Sequence, residues 1–253
     1  MFPNSSLQFT ALVSLLTVSV SAHAEIATST TQQIVADEGV ETVKAAVKPI
    51  KLLGSGEIRS RSTKSFAKWA EMWRRHNLPR SESAPVEKSL IAQPRSCRGI
   101  NAAKCGLDAW NKFIDSQQGL PLIDMLRSVN LYMNRSRYIV DPVNWGIPDY
   151  WETPAEFFLR NGDCEDYAIS KYVTLKRLGV DPATMRLVIL QDENLRAAHA
   201  VLAVYVDGEY MILDNQVNMV ISDTKIRHYR PVYSINETGW WLHHRRRFTK
   251  PRN

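Results

Sequence analysis

The stretch from His199 to Leu213 reads HAVLAVYV, then Asp-Gly, then EYMIL, and it constrains the fold more than any other segment. Aliphatic and β-branched residues on both sides of Asp207-Gly208 predict two antiparallel strands joined by a two-residue turn, because Asp-Gly accepts the positive φ angles such a turn needs. A two-residue turn also sets the register. Val206 then faces Glu209, Val201 faces Asp214 and His199 faces Gln216. Side chains alternate, so His199 and Asp214 share a face as diagonal neighbours about 7–8 Å apart at the backbone, while Asn215 points the other way. Arg186 to Leu190 has the same composition and predicts a third strand.

Upstream of these strands the apolar spacing is helical. Phe66, Trp69, Ala70 and Trp73 form one stripe, Ala109, Trp110, Phe113 and Ile114 a second, and Leu122, Met125, Leu126, Val129 and Met133 a third that starts after Pro121. Thr153-Pro154-Ala155-Glu156 is a capping-box pattern with proline at the first helical position, and Asn161-Gly162 stops that helix. A new helix is predicted from Cys164 to about Leu178, with Asp163 as N-cap and Gly179 and Pro182 beyond its end. Helices followed by an antiparallel sheet predict an α+β domain. No internal repeat is present.

The ends of the chain read differently. An apolar run from Phe9 to Val20 leads to Ala22-His23-Ala24, a small-x-small cleavage pattern before Glu25. The run is shorter than the roughly 20 residues of a membrane span, so residues 1–24 are expected to be a signal peptide and the mature protein to be exported. Residues 25–52 lack periodicity and read as a poorly ordered lead-in, residues 53–242 as one catalytic domain, and residues 243–253, opening HHRRR, as a solvated basic tail. Net charge is +6 in 253 residues, but neither aromatic interleaving nor a nucleic-acid motif accompanies the basic cluster, and no nucleic-acid partner is expected. In an oxidising compartment Cys97 and Cys105, close in SCRGINAAKC, are expected to pair, leaving Cys164 as the odd thiol.

Cys164 therefore lies in the first turn of a helix, where backbone N–H groups and the helix dipole favour a thiolate. Such N–H groups also stabilise an oxyanion. A base is needed, and His199 or His228 remain once His23 is lost with the signal, His76 is placed in a helix and His243 and His244 in the tail. The hairpin register favours His199, with Asp214 orienting the imidazole. Asp163, Glu165 and Asp166 crowd the thiol with like charge. They either complement the helix N-terminus or hold a cation with oxygen ligands, for which Ca2+ suits an exported protein.

NGDCEDYAISKY, RAAHAVLAVY, YMILDNQ, YRPVYSINETGWW and the upstream DPVNWGIPDYW together resemble the bacterial transglutaminase-like cysteine protease family. The resemblance covers most of the chain after about Leu53 and is strongest from Leu122 to Trp241. It implies a papain-like, transglutaminase-like fold, a periplasmic location, and endopeptidase action near the N-terminus of a large surface adhesin, which promotes biofilm dispersal. It further implies Ca2+ dependence, with Asp163, Glu165, Asp166 and Asn144 as ligands, and control by an inner-membrane cyclic-di-GMP receptor whose periplasmic domain sequesters the protease. Two alternatives stay open on the same scaffold: amide transfer to an amine acceptor, and a binding module without activity. A zinc site at Cys164 lacks any second Cys or His at ligand spacing.

Overall fold

The structure, a computed structural model, describes residues 51–78 and 102–244, with the backbone alone at 102–105. The expected signal peptide, nearly all of the lead-in, and the Cys97 partner of the expected disulfide lie outside the described residues.

Each helix begins and ends for local reasons. In α1 (Ala67–His76) Trp69 and Met72 are buried, and Arg74, Arg75 and His76 occupy the last turn, where positive charge suits the helix dipole. After α2 (Ala102–Gln117), α3 (Leu122–Met133) follows Pro121 and buries Met125, Leu126, Val129 and Met133 at the predicted spacing. A single turn, α4 (Asp141–Asn144), precedes α5 (Pro154–Arg160). At the start of α5, Thr153 N–H donates to the Glu156 carboxylate at 2.7 Å and Glu156 N–H to Thr153 Oγ1 at 3.3 Å, completing the expected capping box. Asn161, at φ 62°, closes α5. Helix α6 (Cys164–Arg177) is buried from Asp166 to Leu175 on all sides, as befits the central element of the domain.

Seven strands form one sheet: β1 (Gly56–Ser60), β2 (Met185–Asp192), β3 (Ala197–Val206), β4 (Glu209–Leu213), β5 (Ile221–Ser222), β6 (Tyr229–Asn236) and β7 (Gly239–His244), in the order β1-β7-β6-β2-β3-β4-β5 with antiparallel neighbours throughout. One face carries Leu187, Leu202, Val204 and Leu213 into a core shared with Trp69, Trp110, Leu126, Phe157 and Tyr172 of the helices. The other face buries Val188, Leu190, Val201, Ala203 and Ile212 with Leu52. The architecture is α+β, as expected.

Three expectations are corrected. The order is not strictly helices before sheet, because β1 precedes every α-helix and pairs with β7, Gly56 opposite His244 and Ser60 opposite Trp240. The tail does not start at 243 either. His243 and His244 belong to β7, and the His243 ring is buried between Ser55 Oγ at 2.7 Å from Nδ1 and Ser234 Oγ at 2.8 Å from Nε2. Leu52, placed with the lead-in, is fully buried.

Candidate active site

The start of α6 is shaped by a carboxylate that folds back. Asp166 Oδ2 accepts the N–H of the N-cap Asp163 at 3.0 Å, and Oδ1 accepts the Glu152 N–H at 2.8 Å. A Cβ at position 162 would lie 2.3 Å from Asp166 Oδ2, so only glycine fits before Asp163. Cys164 is thereby the first helical residue, and its amide has no intrahelical acceptor by position. Its thiol donates to Glu165 Oε2 at 3.1 Å. Burial pushes the thiol well above its usual range, and the charges of Glu165 and Asp163 push it further, whereas the Ala200 N–H aimed at the sulfur favours the thiolate. The nucleophile candidate thus abuts the residue that follows His199.

The hairpin has the expected register, with Val206 opposite Glu209 and Leu202 opposite Leu213. Asp207 (φ 46°) and Gly208 (φ 97°) both take positive φ, as the tight turn requires. Ladder pairing stops at Leu213, yet Asp214 Oδ1 still reaches His199 Nε2 at 3.0 Å and accepts the Gln216 N–H at 2.9 Å. The second carboxylate oxygen accepts the Tyr229 hydroxyl, and Asn134, the C-cap of α3, donates to the Asp214 carbonyl at 2.8 Å. Burial works against the Asp214 charge, but the bonds from His199, Tyr229 and Gln216 outweigh it and hold the carboxyl below its usual range. With Nε2 held by Asp214, Nδ1 is the ring nitrogen left for proton transfer. Gln216 Nε2 lies 3.5 Å from it. His228, the other candidate base, packs edge-on against Tyr229 instead.

Acids crowd the other side of the thiol. Asp163, Glu165 and Asp166 are joined by three the sequence reading did not select: Asp141, Asp149 and Glu152. Oxygens of Asp141, Asp163 and Asp166 lie within 4.8 Å of one another, as do those of Asp141, Asp149 and Glu165. Asp141 Oδ1, Asp163 Oδ1 and Glu152 Oε2 are buried with no hydrogen-bond partner. Burial raises Asp141 to about 6, and burial with the Glu165 charge raises Asp163 to about 8; Asp166 and Glu152 are also raised, chiefly by burial. Buried orphan carboxylate oxygens that converge in this way suit a hard cation with oxygen ligands. Asp149 is the outer member, paired with Lys68. Asn144 is held on both atoms: its amide nitrogen donates to Glu152 Oε1 at 2.8 Å and to the Asn161 carbonyl at 3.0 Å, and its Oδ1 accepts from Arg160 Nε at 3.3 Å. Asp141 opens the DPVNWGIPDYW segment, so its composition was visible, but only folding shows that the loop lays it over the N-terminus of α6.

The profile of a family described as bacterial transglutaminase-like cysteine proteinase matches residues 95–246. Solved structures of Legionella pneumophila LapG align with 35% identity and a TM-score of 0.52, over 58% of this chain and 80% of theirs. One of these structures is a calcium-bound form, 82% covered, and another is EGTA-treated, with the same identity and TM-score. Comparison with curated proteins gives no match.

Proposed function

The chain belongs to the bacterial transglutaminase-like cysteine proteinases, and we propose that it is a calcium-dependent periplasmic endopeptidase in which Cys164 is the nucleophile, His199 the base and Asp214 the residue that orients the imidazole. The observation that carries the reading is the buried His199–Asp214 bond, next in the chain to the Ala200 amide that favours the Cys164 thiolate.

His199 Nδ1 takes the thiol proton, and the sulfur attacks the peptide carbonyl carbon. The imidazolium then gives that proton to the leaving amine, and a water activated by the same nitrogen releases the acyl group from sulfur. Asp214 keeps the ring in the Nε2–H tautomer and offsets its positive charge, and Tyr229 keeps Asp214 in place. Glu165 competes with His199 for the thiol proton in the metal-free chain. Asp141, Asp163, Glu165 and Asp166 would hold Ca2+, with Asn144 behind them steering Glu152. Bound there, the ion neutralises the like charges that keep the thiol protonated.

The substrate is the N-terminal region of a large surface adhesin, whose release disperses biofilm, and an inner-membrane cyclic-di-GMP receptor restrains the enzyme. Support for this comes from the segments shared with the family. A recombinant adhesin N-terminal fragment should be cut by the mature protein with Ca2+, far more slowly with chelator, and not at all by Cys164→Ala. Cutting that persists in Cys164→Ala would sink the assignment.

A further inference from the structure

Resting on that reading, we propose that Tyr138 is a catalytic residue, its hydroxyl acting with the Cys164 amide to bind the oxyanion formed when the thiolate attacks the carbonyl.

The backbone places it. After α3 the chain returns beside the lead-in to α6, where Tyr138 forms an isolated parallel bridge with Gly162 and Ile139 N–H donates to the Gly162 carbonyl at 2.9 Å. Tyr138 is thus tied at its backbone two residues before the nucleophile. Its ring stacks on Tyr167, one turn beyond Cys164 on the same helix, with centroids 6.4 Å apart and planes 21° apart. Tyr167 is itself anchored through its hydroxyl to the Ser136 carbonyl at 2.6 Å. The ring therefore has a fixed platform, while the side chain remains 51% exposed and its hydroxyl bonds no group among the described residues. Burial first, and then the charges of Cys164, Asp163, Glu165 and Asp166, keep the phenol protonated. A neutral phenol is a donor.

The reaction needs such a donor. Sulfur forms its bond to the carbonyl carbon and the carbonyl π pair moves to oxygen. One donor is in place at the first amide of α6, and the Tyr138 hydroxyl, which bonds none of the described residues, is a second. When the pair returns, the C–N bond breaks and the amine leaves with the His199 proton. The same oxygen is charged again when water attacks the thioester.

The test is Tyr138→Phe in the full mature chain, which keeps the ring stack and removes the donor. Cleavage of the adhesin fragment should fall about 10²-fold or more in kcat, with KM little changed. Alkylation of Cys164 by iodoacetamide, a displacement at a saturated carbon that makes no oxyanion, should keep its rate. Affinity for an acetyl-Ala-Ala aldehyde, whose thiohemiacetal carries that oxygen, should fall at least about tenfold. Equal cleavage or equal aldehyde affinity in the variant overturns the proposal, and so does parallel loss of cleavage and alkylation. Failure of the unaltered chain to cut would count against the protease reading, and the aldehyde comparison would still decide on Tyr138.

Discussion

The Tyr229 hydroxyl donates to the Asp214 oxygen that His199 leaves free, so β6 steadies a carboxylate that lies past the end of its own strand. Tyr229→Phe removes that support and strands a buried oxygen. It should cost about 1–3 kcal/mol of stability and lower kcat by less than His199→Ala does, which thermal melts and cleavage rates would show together. A variant as active and as stable as the unaltered chain would mean that Gln216 and His199 suffice.

Asp141→Asn separates capping from metal binding. Asp141 is raised to about 6, chiefly by burial, so its ionised form destabilises the metal-free fold at neutral pH. The amide should raise the melting temperature in chelator. It should also remove most of the gain from Ca2+, which for one site is about 2.7 kcal/mol at a hundredfold excess over Kd. An undiminished calcium shift would place the ion elsewhere.

His243 gives the fold an acid weakness. Burial first, and Arg186 next, lower its pKa from the usual 6.5 to about 4. Between those values the unfolded chain binds the proton and the folded chain does not, so stability is full above pH 6.5 and falls as pH drops toward 4. The loss attributable to this ring is on the order of 3 kcal/mol, taking 1.36 kcal/mol per pKa unit. Raised carboxyls such as Asp163 slope the opposite way, so the measurement is a difference: denaturant titrations of His243→Gln against the unaltered chain should diverge across that window.

Lys171, on the same helix as Cys164, is buried with no hydrogen bond from its ammonium, which lies 5.8 Å from the Tyr167 ring centroid. Burial lowers it to about 7 although Asp214 pulls the other way. Lys171→Met is expected to stabilise the protein at pH 7 by ~1–4 kcal/mol. The gain should shrink as pH rises toward 10.5, where the unfolded lysine also loses its proton. A destabilised variant at pH 7 would show that the charge is satisfied by a group not seen here.

The hairpin and the start of α6 were readable because each rests on local chemistry. Asp207-Gly208 determines the turn and hence which residues share a face with His199, and Gly162-Asp163 marks a helix start whatever lies around it. The strand β1 was not readable: GEIRS has little alternation, and its partner is nearly 190 residues away. His243 was missed because HHRRR reads as solvated charge, although Trp241 and His243 are buried while Leu242 and His244 are exposed, the period of a strand. Asp141, in α4, and Tyr229, in β6, matter only through convergence of segments distant in sequence, for which a single sequence carries no periodic signal.

The pairing of β1 with β7 also orders events in time. Ser55 meets His243 only after the last strand exists, and β2 keeps an open edge beside the His199 strand until β6 arrives. Contacts of such long sequence separation close late and slowly. A chain made amino-end first therefore exposes Cys164 before the sheet that supports His199 is closed.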